Sequence, residues 1–262
     1  MINSLKRTLA IPLYRLYESR LSRRLDRAQL PRHLGIILDG HRRYARAEGH
    51  ETYTDSYRTG MRTFEEVVAW TGEFEIPSVT AWVLSTENLK RPAEEIGPYF
   101  DVLVELFDRL PDLARRHNFE LKVIGSLDPL PPRLVAAAKR AMEDAGVGLR
   151  SVTIAMGYGG RQEIVDACRD LVDELTTEGV TGPELAGRIN ADGIASHLYA
   201  PLQPDTDLII RTSGESRMSG FLLWQSAYAE YAFVDVYWPA FRRVDFIRAL
   251  RDYAAAERRF GQ

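Results

Sequence analysis

Cysteine occurs once in the 262 residues, at Cys168. A single thiol excludes an internal disulfide framework and a cysteine-built zinc site. Cys168 lies on the apolar side of a helical pattern in QEIVDACRDLVDEL, so it is expected to be a buried thiol. No apolar run reaches the length of a membrane span, and no signal-type apolar segment precedes a cleavage site. A cytosolic location is the expectation. An excess of one charge is also lacking: 34 Lys and Arg face 37 Asp and Glu, a formal net charge of -3, so no overall basic field points to nucleic acid. The GxxxxGK[ST] phosphate loop is missing, which excludes a P-loop NTPase. There is no GxGxxG after the first apolar run, no HExxH and no GxSxG.

What is present begins with 45% apolar and 27% charged residues, ordinary for a globular protein of one large core. Residues 1–33 are the exception to the even charge. Eight basic residues against Glu18 and Asp26 give this arm +6. Leu9, Leu13, Leu16, Leu21 and Leu25 recur at near-helical spacing, and Pro12 suits a first helical turn. Two readings stand: a basic amphipathic helix in peripheral contact with an anionic membrane surface, or a helix packed on the domain or a partner subunit.

From residue 34 to 262 the pattern alternates, as one α/β domain. Strand-like runs at 34–38, 79–84, 121–124, 152–156, 208–210 and 233–236 are separated mostly by helical patterns at 61–73, 95–117, 132–145, 160–177 and 182–198. Short apolar strands with crossover-length helices predict a mainly parallel six-stranded central sheet flanked by helices. DPLPPR, at 128–133, reads as a strand-to-helix loop rather than a domain boundary.

In open α/β sheets, ligands sit beyond the carboxyl ends of the strands. The segments there are Asp39-Gly-His-Arg-Arg, STENLKRP (85–92), GYGGRQE (157–163) and RTSGESRMSGF (211–221). These segments converge on one rim, and the candidate cations in or near them are Arg42, Arg43, Arg46, Arg58, Arg91, Arg211 and Arg217. Arginine offers a planar fork of donors that matches phosphate oxygens and keeps its charge. Such a cluster could neutralise two diphosphates of roughly two to three charges each. Gly40 allows close backbone approach, and a helix starting after it would add N–H groups. Asp39 and Glu230 remain as acids. Either could be an ion-pair partner, or Glu230 a cap, or they could hold Mg²⁺, which binds through one or two carboxylates plus substrate phosphates. Composition and spacing lead as far as an anion-binding α/β domain with Mg²⁺–diphosphate chemistry.

The blocks LDGHRRYAR, LSTENLKRPAEE, GYGGRQEIVDA, LIIRTSGESRMSGFLLWQSAYAEYAF and ERRFG, in this order, resemble the cis-prenyltransferases, the undecaprenyl diphosphate synthase family. The lack of the DDxxD box of trans-prenyl synthases agrees with the resemblance. It implies a parallel α/β fold with a hydrophobic tunnel, a homodimer, and isopentenyl diphosphate and an allylic diphosphate as substrates. It implies that Asp39 coordinates Mg²⁺ and promotes ionisation, with Glu230 as second carboxylate. Gly40, Arg42 and Arg43, with Arg46 and Arg58, fall at or near the allylic diphosphate site, and His41 and Tyr57 are further candidate substrate-binding residues. Asn88 matches the asparagine of the condensation step, with Ser85 beside it and Arg91 in the same region. Arg211, Arg217 and Ser219 match the isopentenyl diphosphate site. Arg259 and Gly261 match a terminal motif that reaches the other subunit.

Some positions depart from the family pattern. His41 stands where the family usually has Asn, and Tyr44 where it has Trp. Tyr57 falls near a usual His, and Leu89 follows STEN in place of Trp. Tyr57, Leu89 and the basic arm look like short-chain, Z-farnesyl-type members. Val83, where long-chain members tend to have a smaller residue, is expected to narrow the tunnel. The implied product is short, about C15. The alternatives are a product of about C50–C55, an irregular or cyclising condensation suggested by His41, and a non-catalytic diphosphate-binding subunit. The last should have lost Asp39, Asn88, Arg211, Arg217 or Glu230, all of which are present.

Overall fold

The structure is a computed structural model that describes residues 18–23 and 25–256. Arg259, Gly261 and the first 17 residues of the arm lie outside the described residues.

Six strands form one sheet: β1 (His33–Ile37), β2 (Ser78–Ser85), β3 (Phe119–Ile124), β4 (Arg150–Tyr158), β5 (Leu208–Arg211) and β6 (Glu230–Phe233). Their order is β3-β4-β2-β1-β5-β6, and every pairing is parallel. Between residues 25 and 256 the α-helices are α1 (His41–Ala47), α2 (Thr54–Glu73), α3 (Ala93–His117), α4 (Pro132–Ala145), α5 (Gly160–Thr177), α6 (Gly182–Arg188), α7 (Ala191–Ser196) and α8 (Arg243–Ala255). Five of the six expected strands overlap their apolar runs closely. The sixth lies three residues earlier than 233–236, because Glu230 N–H bonds Asp207 O and starts the ladder there. The pattern at 182–198 splits into two short helices at Asn190, whose side chain caps the second. Helix α8 was not expected from the sequence.

β1 is central and buried along its whole length. Alternation divides its side chains between two cores. Leu34 and Ile36 join Ala81, Ile154 and Ile210 against α2, α3, α4 and α8. Ile37, Ala155 and Ile209 face the other way, onto Tyr158, Phe221 and Leu222. Trp82 stacks on Phe221 with ring centroids 5.3 Å apart. The chain builds β2, β3 and β4 on one side of β1, then returns to place β5 and β6 on the other, so the crevice between the ends of β1 and β5 is the switch point where such sheets bind ligands.

The described part of the arm packs inward. Leu21 is buried in the larger core and Leu25 rests against it, while Glu18 approaches Arg243 at 3.8 Å. No helix among the described residues is long and apolar enough to cross a membrane. Cys168 is half-buried rather than fully buried, because its position on α5 falls between the inward residues Ala167 and Leu171 and the solvent face.

Candidate active site

Asp39 leaves the end of β1 at the switch point and is held by its backbone. Its N–H donates to Thr212 Oγ1 at 3.1 Å, its carbonyl accepts from the same hydroxyl at 2.8 Å, and Trp238 N–H donates to that carbonyl at 3.0 Å. Gly40 follows with φ 106°, a left-handed conformation that costs little only without a Cβ. A Cβ there would also lie 2.9 Å from Ser213 and Tyr237. α1 starts at once and carries Arg42, Arg43 and Arg46.

The Asp39 carboxylate lies between two arginines from different elements. Arg211, at the end of β5, donates from Nη2 to Oδ2 at 2.9 Å; Arg43 Nη2 lies 3.5 Å from Oδ1. Arg211 is only 6% exposed in its side chain and donates from Nη1 to Ser219 Oγ and to Arg217 O. Arg43 also bonds Ser213 and approaches Glu215 at 3.2 Å. Ser213 and Ser219 have φ of 74° and 55°, a conformation costing a non-glycine residue about 1 kcal/mol or more. The loop after β5 therefore holds two strained serines against the two arginines that flank Asp39.

Across the rim, Asn88 and Ser85 fix each other. Ser85 N–H donates to Asn88 Oδ1 at 3.3 Å, and Asn88 N–H donates to Ser85 Oγ at 3.2 Å. With Oδ1 occupied, the Asn88 NH₂ is the part left to meet a ligand. Glu95, from α3, lies 3.5 Å from both Arg91 Nη1 and Arg42 Nε. Arg46 donates to Tyr53 Oη at 3.2 Å, and bonds from Arg46 and Arg42 lower the Tyr53 phenol pKa.

These groups enclose a cavity of about 880 Å³, large enough for a drug-sized ligand. Its wall carries Arg42, Arg43, Arg46, Arg91, Arg211 and Arg217 against only two carboxylates, Asp39 and Glu87. Arg211 Nε is buried there without a hydrogen-bond partner, the state of a donor shaped for a polar ligand. The remaining wall is less polar: Ile37, Leu38, Tyr57, Trp82, Val83 and Tyr99.

His41 is buried, and burial lowers its pKa to about 4. Its Nδ1 lies 3.2 Å from Ser56 O, which can only accept, so Nδ1 carries the proton and Nε2 presents a lone pair. The neutral ring therefore turns an acceptor, Nε2, rather than a donor to its surroundings. The ring fits against Gly60 of α2, where a Cβ would lie 2.0 Å from Cε1.

The family model described as "Putative undecaprenyl diphosphate synthase" matches residues 37–261. This chain belongs to the cis-prenyltransferase family. It is 49% identical to the (2Z,6E)-farnesyl diphosphate synthase of Thermobifida fusca, covering 97% of this chain and 98% of that one. It is 42% identical to the short-chain Z-isoprenyl diphosphate synthase of Mycobacterium bovis, covering 96% of each. Its fold matches that of lavandulyl diphosphate synthase from Lavandula x intermedia, in complex with dimethylallyl diphosphate, with a TM-score of 0.83, 27% identity, and coverage of 90% of this chain and 100% of that one. The chain is a prenyltransferase.

Most sequence-predicted residues of this prenyltransferase meet on the one cavity: Asp39, Gly40, His41, Arg42, Arg43, Arg46, Tyr57, Val83, Ser85, Asn88, Arg91, Arg211, Arg217 and Ser219. Two do not. Arg58 points away and makes a paired contact with Glu105 of α3, at 2.8 and 3.1 Å. Glu230 opens β6 opposite Leu208, three residues or about 10 Å of strand before the level of Arg211. It lines a separate cavity beside Asp245 and Arg248. One chain alone does not bring Glu230 to Asp39. Residues that the sequence did not single out include Tyr53, Glu95, Tyr99, Thr212, Ser213 and Glu215. Glu95 and Glu215 stand inside the quoted motifs, and proximity to an arginine in sequence was the available signal.

The donor set fits Mg²⁺ in one specific way. Among the described residues no three His, Cys, Asp or Glu side chains gather to form a cage. Mg²⁺ needs only one or two carboxylates when phosphates supply the rest. Asp39, 31% exposed in its side chain, can supply one carboxylate, and Glu87 stands on the same wall.

Proposed function

We propose that this chain is a Mg²⁺-dependent, short-chain cis-prenyltransferase that joins isopentenyl diphosphate to geranyl diphosphate, giving a Z-isoprenyl diphosphate of about C15. The observation that carries the reading is the cavity, with six arginines around Asp39 at the strand ends and an aromatic and aliphatic wall beside them. Product length and acceptor draw on the relatives. In a (2Z,6E) product, the Z bond is the one made by cis addition and the E bond arrives with the acceptor. A geranyl acceptor and a single addition satisfy both.

In this reading Arg211, Arg217 and Ser219 bind the isopentenyl diphosphate. Arg42, Arg43, Arg46 and Arg91 bind the allylic diphosphate, with Asp39 between the two groups. Mg²⁺, when bound at Asp39, adds positive charge beside the leaving diphosphate. The arginines act in the same sense from fixed positions, stabilising negative charge as the allylic C–O bond breaks. The Asn88 NH₂ orients the second substrate for carbon–carbon bond formation. One proton is then lost to form the new double bond, and an oxygen of the released diphosphate accepts it.

A homodimer is part of the proposal. β6 is an edge strand, Tyr228 beside it is 81% exposed, and Phe233 stacks on Tyr231 with centroids 5.7 Å apart. An apolar strand edge of this kind favours a covering partner. The terminal Arg259 and Gly261 would then reach the second copy's site. Peripheral membrane contact is a further part of the proposal for the basic arm, of whose residues 1–33 the structure describes 18–23 and 25–33.

The test is incubation of the purified protein with Mg²⁺, labelled isopentenyl diphosphate and dimethylallyl, geranyl or farnesyl diphosphate, followed by product sizing and double-bond assignment. A linear C15 Z product from the geranyl acceptor is expected. Products of about C50 or longer overturn the short-chain reading, a branched or cyclic product overturns the regular condensation, and no product with any acceptor overturns the activity.

A further inference from the structure

The cavity has a floor, and the floor belongs to two facing helical stripes. On α2 the inward residues are Tyr57, Met61, Phe64 and Val68; on α3 they are Tyr99, Leu103, Leu106 and Leu110. Both sets follow the i, i+4, i+7, i+11 spacing of a single helix face. All are buried in the same core. Only the first rung of each, Tyr57 and Tyr99, lines the cavity. The second rung, Met61 and Leu103, is fully buried in close-packed interior. An alkyl tail growing away from the arginines therefore meets the two tyrosine rings before it meets the core.

The two rings are not held alike. Their centroids are 4.5 Å apart, and the His41 ring lies 5.4 Å from Tyr57. Tyr57 Oη and His41 Nε2 are buried without hydrogen-bond partners. Tyr99 Oη instead donates to Val83 O at 2.5 Å. That carbonyl is available because β2 is irregular there: Trp82 pairs with Ala155 and Leu84 with Met156, so Val83 has no counterpart on β4, and the pairing with β1 ends at Trp82. An unpaired residue in a strand beside an active site commonly redirects a neighbouring group. Here it supplies an anchor that fixes the Tyr99 ring across the apolar end of the cavity.

We infer that Tyr99, anchored on the Val83 carbonyl and packed on Tyr57, is the residue that stops the growing chain and so sets product length. The inference rests on the short-chain prenyltransferase reading above and deepens it. Val83 then acts in two ways, through its side chain on the wall and through its carbonyl, which positions the stop.

The test compares Tyr99→Phe, Tyr99→Leu and Tyr99→Ala in the full chain, with Mg²⁺, geranyl diphosphate and excess labelled isopentenyl diphosphate. Products are sized and thermal melting checks each fold. Tyr99→Ala should extend the main product by one or more C5 units, to C20 or longer, and Tyr99→Leu should do so to a smaller extent. Tyr99→Phe keeps the ring and loses the anchor, so the main product should stay near C15 with at most a minor longer fraction. Should Tyr99→Ala not fold, Tyr99→Leu carries the same prediction. A folded, active Ala or Leu variant whose product remains at C15 overturns the inference. So does loss of the first condensation in both, which would make Tyr99 a residue of substrate placement. A wild-type protein that makes no prenyl product overturns the underlying reading instead, and the two failures are thereby distinct.

Discussion

Asp39 is positioned through its backbone, by Thr212 and Trp238, so its carboxylate can be altered without releasing the strand end. Asp39→Ala is expected to lower turnover by about a thousand-fold or more, the scale of losing a main electrostatic group at a reacting centre, with the melting temperature nearly kept. Near-normal turnover would remove Asp39 from the mechanism. Arg211 is less replaceable, because its guanidinium serves Asp39, Ser219 and the Arg217 carbonyl at once. A lysine keeps the charge and loses the fork. Arg211→Lys should raise the KM for isopentenyl diphosphate about ten-fold or more, the cost of one charge-assisted hydrogen bond. An unchanged KM would place the isopentenyl site elsewhere. At this scale the strand-end residues were legible, since an acid or arginine directly after an apolar run has few structural uses. Tyr99 was not, because its spacing with Leu103 and Leu106 makes it read as one more core position.

Helix α2 approaches α1 closely only because residue 60 has no side chain. A Cβ on Gly60 would lie 2.0 Å from His41 Cε1 and 2.9 Å from Trp238 Cδ1. Alanine ordinarily favours a helix over glycine by about 1 kcal/mol. Here Gly60→Ala should destabilise instead, by roughly 1–3 kcal/mol of overpacking. Most of that loss should vanish in a His41→Ala background, which a double-mutant cycle of denaturant melts would reveal. Additive effects would show that Trp238, not His41, sets the spacing. The elements themselves were read well where apolar runs are short and bounded by turns. β6 was misplaced because apolar character continues through Val234 and Val236 after the strand has ended. Val234 N–H still bonds Arg211 O, and the Val236 carbonyl accepts from Ser213, so these residues serve the site loop rather than the sheet.

The whole molecule carries a second polar layer at the opposite end of the sheet. His33 is fully buried, bonded through Nδ1 to Pro204 O at 2.7 Å and through Nε2 to Thr80 Oγ1 at 2.9 Å. Burial lowers its pKa from 6.5 to about 4. The unfolded chain therefore takes up this proton first as pH falls. The His33 contribution to stability is complete above about pH 6.5 and is lost progressively towards pH 4, amounting to about 3 kcal/mol at the conversion of 1.36 kcal/mol per pH unit. Melting temperatures from pH 8 to 4.5 should stay level and then fall below 6.5, with a shallower fall in His33→Gln. Equal slopes in both proteins would assign the acid sensitivity to other groups. Nothing in the sequence distinguished His33 from a surface histidine, because its partners come from residues 47 and 171 positions away.

Asp39 has both carboxylate oxygens turned to arginines, Arg211 and Arg43. A divalent cation approaching alone would have to displace a guanidinium and sit among six positive side chains. An incoming diphosphate changes that balance, because the arginines can turn to it and release the carboxylate. The two ligands should thus be mutually dependent, each raising the affinity of the other by the same factor. Calorimetry should find weak Mg²⁺ binding to the protein by itself and much tighter binding once a non-reacting diphosphate is present. Equal affinity in the two titrations would mean that the ion pairs do not guard the metal position. The arginines then act as a lock on Asp39 that the substrate opens, so that metal and substrate enter the site as one unit.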